Sequence, residues 1–181
     1  RMLALENPMS EEQSLMRTML LGSMLDVLRH NVARGSADVG IFESGPVYFA
    51  RVGDRLADEP HHLGALLAGP ATPPTWRAPE PPPADFFAAK GVLAGVLDTL
   101  RVPWSVEPAT EPFLHPGRSA AVLVEGERVG WLGEIHPLVA RTWDVDAVAG
   151  FDIDLGPVAA AADSAPAYSD VISFPAVHQD I

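Results

Sequence analysis

The stretch from Asn7 to Gly35 most strongly constrains the fold, because it carries a long apolar stripe at helical spacing. Ser10 and Gln13 have the form of a capping box at its start, and Gly35 supplies a left-handed stop. Gly22 weakens the middle, so the pattern predicts either one helix or two pieces, the second from about Leu20 to Arg34. The stripe consists of Leu15, Met16, Met19, Leu20, Met24, Leu25, Leu28 and Val32.

A stripe this rich in methionine and leucine must be buried against another apolar surface. One interpretation is that it covers the protein's own sheet. The other is that part of it also meets a partner subunit. The residues alone leave both open.

Composition indicates one compact domain, or one domain with a tail, because 48% of the 181 residues are hydrophobic. No run is long and apolar enough to span a bilayer, and no signal peptide opens the chain, so no membrane partner is expected. The absence of cysteine fits a cytoplasmic protein. The first residue, Arg1, suggests a cut fragment.

The charge balance argues against direct nucleic-acid binding. The chain has 12 Lys and Arg against 24 Asp and Glu, a net charge of −12, and its one lysine is Lys90. A nucleic-acid surface needs clustered cations to replace phosphate counterions. The acidic excess instead indicates solubility and suits a basic partner.

Hairpins and helices alternate without a regular βαβ rhythm, which predicts an α+β domain with a mainly antiparallel sheet flanked by helices. Pro46 favours an edge position for its strand, and Pro70 to Pro83 is too proline-rich for helix or central strand. The predicted strands are Leu3–Leu5, Val39–Phe49, Leu63–Ala68, Trp104–Glu107, Ala120–Val124, Val129–Ile135 and Val148–Leu155. The further helices are predicted at Ala84–Leu100, just after His136-Pro137, and at Pro157–Ala162; Phe86, Phe87, Val92, Leu93, Val96, Leu97 and Leu100 are predicted to face inward from the first of these.

The histidines do not form a recognisable metal motif. Neither the pair His61-His62 nor His115 and His136 supplies an i, i+4 helical pair, and no cysteine is available. His115 and His136 each precede a proline, which favours turn or cap roles. Glycine-rich phosphate loops and nucleophile elbows are also missing from the sequence.

Three charged residues are the remaining site candidates. Glu43 and Glu134 each lie in a predicted strand and could form a carboxylate pair, although solvated or salt-bridged acids are the default. Arg118, in the loop after His115, could bind an anion or pair with one of these glutamates, and pairing is favoured. From the residues alone, the chain is an α+β domain without a visible active site.

Six segments occur in a recognisable order along the chain. They are NPMSEEQSLMRT with the helix to Asn31, IFESGPVYF, FFAAKG at Phe86 to Gly91, LHPGRSA at Leu114 to Ala120, VGWLGEIHP at Val129 to Pro137, and FPAVHQDI at the end. Together they resemble one family, the β subunit of bacterial phenylalanine–tRNA ligase. The last segment resembles the entry to the family's anticodon-binding domain.

The resemblance implies an (αβ)₂ heterotetramer that uses ATP and Mg²⁺ to join phenylalanine to its tRNA, with the synthetic site on α. It implies that residues 1–168 form an N-terminally truncated, class II synthetase-like module that does not catalyse and binds no cofactor of its own. Residues 169–181 would be a linker and the start of a ferredoxin-like anticodon-binding domain. The transfer RNA, tRNA-Phe, would be bound through other domains.

The arginines that a catalytic class II site requires are not at the matching positions. The strand from Ile41 to Gly45 has Glu43 where a class II enzyme needs a cation for the α-phosphate. The junction from Phe151 to Pro157 contains acids and no arginine. The sequence also departs from the family at Pro46 and at His178-Gln179, where basic residues are usual.

The leading hypothesis is therefore a structural module that holds α in its active arrangement. It assigns Leu25 and Leu28 to the core, and some of Met16, Met19 and Met24 to a subunit boundary. The alternatives are a stand-alone class II-like or carboxylate/metal enzyme using Glu43, Asp152 or Glu134, and a free-standing interaction domain.

Overall fold

The structure is a computed structural model that describes residues 2–11, 14–36, 38–51, 53 and 56–163. The described residues form an antiparallel sheet of six strands with four helices, which confirms the predicted α+β class. In chain order the elements are α1 (Leu21–Val32), β1 (Val39–Pro46), β2 (His61–Ala68), α2 (Phe86–Thr99), β3 (Trp104–Pro108), β4 (Leu114–Val124), β5 (Glu127–Ile135), α3 (Pro137–Thr142), β6 (Val148–Asp154) and α4 (Leu155–Ala161).

The strands follow the order β1-β2-β6-β5-β4-β3, and every neighbouring pair is antiparallel. β1 and β3 are the edges. Pro46 ends β1, which agrees with its predicted edge position, because proline cannot donate to a sheet ladder. The apolar β2 and β6 lie inside the sheet.

β4 and β5 contain the predicted strands Ala120–Val124 and Val129–Ile135, and a tight turn joins them as a hairpin. Val124 pairs with Glu127, so Glu125 and Gly126 form a two-residue loop. Both have positive φ, 51° and 85°, as a type I′ turn requires. Such a turn matches the twist of the two strands, so it sets their register at this end.

Helices cover both faces of the sheet. On one side, which we call the α1 face, residues of α1 and α3 pack with Leu66, Trp131 and Val148. On the other, the α2 face, residues of α2 and α4 pack with Leu132 and Phe151. Each face therefore has its own apolar cluster, and the sheet is the shared middle layer.

The Met/Leu stripe is only partly helical. Its second piece is α1, with Leu25 and Leu28 at 1% and 0% exposure, which confirms their assignment to the core. The prediction of a helix in the first piece is wrong, because the described residues from 14 to 20 are not α-helical. They instead pair in antiparallel fashion with the predicted first strand, which is reduced to a bridge between Ala4 and Leu15.

Backbone hydrogen bonds explain this difference. Leu5 N donates to Ser14 O at 2.8 Å, and Met16 N donates to Leu3 O at 2.8 Å. These bonds pair backbone N–H and C=O groups that a helix would have paired within itself. The capping box falls outside this comparison, because Gln13 is outside the described residues.

Helix α2 begins where the sequence places an acid. Asp85 is its N-cap and accepts from Phe87 N at 2.9 Å and Ala88 N at 3.0 Å. The predicted inward face is partly wrong, since Phe87, Val92 and Leu100 are exposed. The buried line is Ala89, Leu93 and Leu97, which repeats every four residues.

Other predicted segments have mixed outcomes. The proline-rich stretch is neither helix nor central strand, as predicted. It is an exposed loop, and a bridge between Pro70 and Pro83 closes it. The predicted linker and start of an anticodon-binding domain, residues 169–181, lie outside the described residues. Within the part of the chain that the structure describes, no helix is long and apolar enough to cross a membrane.

We expect Leu28→Ala to lower the free energy of unfolding by about 2–5 kcal/mol, because it leaves a cavity at a fully buried position. Val27→Ala is the matched control on the same helix, since Val27 is 48% exposed. Its effect should stay within about 0.5 kcal/mol. Urea denaturation of each variant measures both values. Equal losses would contradict the placement of the stripe.

Candidate functional site

The first polar cluster surrounds Glu43 on β1. The Arg17 guanidinium forms an ion pair with Glu43 Oε1, and the Ser23 hydroxyl lies 2.9 Å from Glu43 Oε2. Arg17 Nη1 also donates to Ser23 Oγ at 3.3 Å. Both members of the ion pair are about one-third exposed, so the cluster sits at the rim of the fold.

Arg17 also fastens its own segment to the end of β1. Its Nε donates to Pro46 O at 3.0 Å, and its carbonyl accepts from Tyr48 N at 2.8 Å. Its Nη2 atom lies 2.6 Å from the place that a Cβ on Gly45 would occupy. A side chain at position 45 would therefore displace the guanidinium.

The second cluster surrounds Asp152, the only charged residue that is fully buried among the described residues, at 2% exposure. Its Oδ2 accepts from Leu20 N at 2.9 Å, at the start of α1. Its Oδ1 accepts from His62 Nδ1 at 2.6 Å. A buried carboxylate is tolerated only when it is well hydrogen-bonded, and both oxygens are.

The two acids lie on the same face but do not share a site. Glu43 pairs in register with Gly64, which pairs with Asp152, so two strand spacings, about 10 Å, separate them. The Met24 methyl group fills the space above Gly64, 2.7 Å from where a Cβ would stand. Met24 is 2% exposed, so its assignment to a subunit boundary is corrected: it belongs to the core.

Glu134 belongs to a third cluster on the opposite face of the sheet. It pairs in register with Ala149, which packs in the α2-face cluster. Its Oε2 accepts from Arg118 Nη1 at 2.6 Å, and its Oε1 accepts from Phe86 N at 3.3 Å. The predicted pairing of Arg118 with a glutamate is confirmed. A carboxylate pair of Glu134 with Glu43 is wrong, because the sheet lies between them.

The histidines cap turns or pair with strand neighbours. His115 Nδ1 accepts from Gly117 N, and His136 Nδ1 accepts from Leu138 N, each at 3.1 Å, which confirms the predicted turn and cap roles. His61 Nε2 lies 2.9 Å from Ser44 Oγ. Among the residues described, no three metal-ligating side chains are grouped to hold an ion.

The acids that the sequence comparison set against a class II nucleotide site, Glu43, Asp152 and Asp154, do not fit ATP. Glu43 is held by Arg17 and Asp152 by His62, while Asp154 caps α4 by accepting from Gly156 N at 2.8 Å. A triphosphate placed here would face three carboxylates. The nearest guanidinium is already paired with one of them.

Sequence reasoning missed Arg17 and His62 as functional partners of these acids. A signal existed for Asp152, because an acid inside the apolar run of β6 requires a buried partner. Nothing in the sequence placed His62 opposite it, since the two residues are 90 positions apart.

The fold and these clusters define an α+β domain in which Glu43, Asp152 and Glu134 are hydrogen-bonded within the protein. A family model described as the phenylalanyl tRNA synthetase beta chain CLM domain matches residues 1–155. The chain belongs to this family.

Similar curated proteins are phenylalanine–tRNA ligase beta subunits. The protein from Symbiobacterium thermophilum is 44% identical over all of this chain and 20% of its own length. Those from Burkholderia lata and Listeria monocytogenes are 38% and 33% identical, over 97% and 98% of this chain and 22% of their own lengths. The chain therefore spans about a fifth of the length of these relatives.

We expect Asp152→Ala to destabilise the fold by about 2–4 kcal/mol, because it leaves the Leu20 N–H and His62 without their buried acceptor. Asp152→Asn is the matched variant. Its amide oxygen can still accept one of the two bonds, so we expect it to recover part of the loss. Chemical denaturation monitored by circular dichroism gives both values. If Asn were as costly as Ala, the hydrogen bonds would not be the cause.

Proposed function

We propose that this domain is a non-catalytic, subunit-interaction module of a phenylalanine–tRNA ligase β chain. The observation that supports it best is the state of the acids at the class II positions. Glu43, Asp152 and Asp154 all accept hydrogen bonds from the protein itself, and Met24 occupies the space between the first two. The face that would hold a substrate is filled with core.

In this proposal the fold is a class II synthetase-like module that is truncated at its N-terminus. The whole enzyme is a cytoplasmic (αβ)₂ heterotetramer in which the α subunit joins phenylalanine to tRNA with ATP and Mg²⁺. Other domains bind tRNA-Phe, consistent with the net charge of −12 here. The alternative of a stand-alone carboxylate enzyme has no support, because Glu43, Asp152 and Glu134 do not converge on one site.

The N-terminal arm, of which the structure describes residues 2–11 and 14–20, is the proposed contact with α. Met16 and Met19 are partly buried, and Met19 also packs against the α1-face cluster. Beside them the arm exposes further apolar side chains: Met2 at 58%, Leu5 at 43%, Met9 at 100% and Leu15 at 54%. A row of exposed apolar residues of this length is typical of an interaction surface.

Substituting the acids should barely affect catalysis in the whole enzyme. We expect Glu43→Gln and Asp152→Asn, introduced into the full β chain and assembled with α, to change kcat less than about threefold. A general acid or base would contribute about 100-fold or more. Aminoacylation is measured per assembled tetramer after size-exclusion chromatography, so that loss of assembly is not counted as loss of chemistry. A 100-fold fall in kcat in intact tetramers would refute the proposal.

A charge on the arm should weaken assembly. We expect Met16→Glu to raise the apparent Kd of the β chain for α by about tenfold while its circular dichroism stays native, because a charge is buried at the contact. Met24→Glu is the contrasting variant and should unfold the domain, since position 24 is in the core. If Met16→Glu assembled with α as well as the wild type, the proposed contact between the arm and α would be wrong.

A further inference from the structure

An open cleft of about 890 Å³ lies on the α2 face of the sheet, and we call it the α2 cleft. It is bounded by the first turn of α2, by β3 and by the first half of β4, where the pairing with β5 is irregular. Small-molecule sites in proteins usually have volumes of about 300 to 1,000 Å³. The cleft therefore has the size of a ligand site, and neither the N-terminal arm nor the buried acid Asp152 lines it.

The walls of the α2 cleft are apolar and fixed in position. Phe86 and Val106 both pack against the apolar cluster of the α2 face. Phe87 lies beside them, 72% exposed, and its ring meets that of Phe86 edge to face with 5.4 Å between centroids. The backbone of this turn is held by the Asp85 cap. An exposed ring on a preformed apolar wall gains free energy when an apolar ligand covers it.

The acids that line the cleft are not available to a ligand. Asp85 accepts the backbone N–H groups of the first turn of α2. Glu134 accepts from Phe86 N at 3.3 Å and from a guanidinium at 2.6 Å, so both of its oxygens are bonded. Glu107 is in register with Trp131 across β4, and Trp131 belongs to the α1-face cluster. The Glu107 side chain therefore projects from the opposite face of the sheet.

Arg118 is the only cation among the described residues that line the cleft. Its side chain is 58% exposed, whereas that of its partner Glu134 is 14% exposed, so the guanidinium is the part of the ion pair that meets solvent. One N–H group on Nη1 is bonded to Glu134, and within the part of the chain that the structure describes the others have no protein acceptor. A guanidinium in this state can bind a second carboxylate.

The cavity on the other side of Arg118 is less suited to an anion. It has a volume of about 710 Å³, and Arg141, Asp144 and Asp146 are exposed in its lining. Two carboxylates beside one further guanidinium repel an anionic ligand. The donors of Arg118 are therefore matched to a ligand that enters from the α2 cleft.

We propose that the α2 cleft binds a small apolar carboxylate, with one carboxylate group on an aromatic or aliphatic body. The carboxylate accepts from the remaining N–H groups of Arg118, and the body packs against Phe87 and Val106. An amino acid is disfavoured, because its ammonium group finds both Asp85 and Glu134 already bonded. At physiological ionic strength, screening limits the repulsion from the net charge of −12. This inference does not rest on the proposed function.

The first experiment uses 4-benzoylbenzoate, which is both an apolar carboxylate and a photoreactive probe. The full-length β chain assembled with α is irradiated with it, and labelled peptides are identified by mass spectrometry. We expect saturable labelling of residues 83–87 or 106–120, with half-saturation at about 1 mM or below. The uncharged 4-benzoylbenzamide has the same shape and is the matched control. It should label these residues about tenfold less, because it lacks the charge-assisted hydrogen bonds.

Variants of the ion pair test the polar contact. We expect Arg118→Met combined with Glu134→Gln to raise the half-saturation concentration about tenfold, because the cation is removed without leaving an unpaired acid. Glu134→Gln alone keeps the guanidinium and should bind the probe at least as tightly as wild type. Arg128→Met combined with Glu111→Gln is the control, because that ion pair lies outside the cleft. It should leave the labelling unchanged.

A further variant and a competition test the apolar contact and the ligand class. We expect Phe87→Ser to raise the half-saturation concentration about tenfold, while Val92→Ser, exposed on the same helix outside the cleft, leaves it unchanged. Added 3-phenylpropanoate should displace the probe from the cleft. Phenylalanine should do so about tenfold less effectively, because its ammonium group has no free acceptor.

Several outcomes would overturn the inference. They are equal labelling of the cleft by the amide probe, labelling that the double variant of Arg118 and Glu134 leaves unchanged, and equal losses in the control variants. Phenylalanine competing as well as 3-phenylpropanoate would refute the ligand class. A tripeptide with a C-terminal phenylalanine competing better than 3-phenylpropanoate would overturn the assignment to a small molecule. None of these results bears on the proposed function, which is tested by assembly with α and by kcat. Circular dichroism of each variant confirms that the domain remains folded.

Discussion

The hydrogen bond from Leu20 N to Asp152 links the main helix on the α1 face to the middle of the sheet. Leu20 is the residue before α1, and the helix N-terminus favours a nearby carboxylate. With His62 on its other oxygen, Asp152 joins β2, β6 and α1 at one buried point. The orientation of α1, and with it the filling of the α1 face, depends on this contact. A carboxylate without these partners would be too costly to bury.

This arrangement leaves neither Glu43 nor Asp152 without a partner inside the protein. Charged groups in an enzyme site must be available to a substrate, whereas here each one is bonded to the protein. Arg17 neutralises Glu43, and Met24 fills the gap over Gly64. The same groups therefore stabilise the fold instead of binding a ligand.

Much of the fold was predictable because local pattern and burial agree. The β4–β5 hairpin, the Asp85 cap and the edge position of Pro46 follow from short-range chemistry. The failures have a common cause. The segment from Leu15 to Leu20 has helical spacing but is not helical, and Phe87 was predicted to face inward but is exposed. Both outcomes depend on which segment packs opposite, and the periodicity of a sequence carries no information about that. Of the candidate site, the Arg118 pairing was favoured in advance, but its choice of Glu134 over Glu43 was open.

By itself, the sequence determined the class of fold, the acids within β1 and β6 and membership of the family, because these reside in residue identity and local order. Only the tertiary structure decided which groups meet. It placed Glu43 and Glu134 on opposite faces, brought His62 to Asp152 across 90 positions, and moved Met24 from a supposed boundary into the core. The reason is that strand order and register set these distances. Both arise from packing of the whole chain and are not encoded in any one segment.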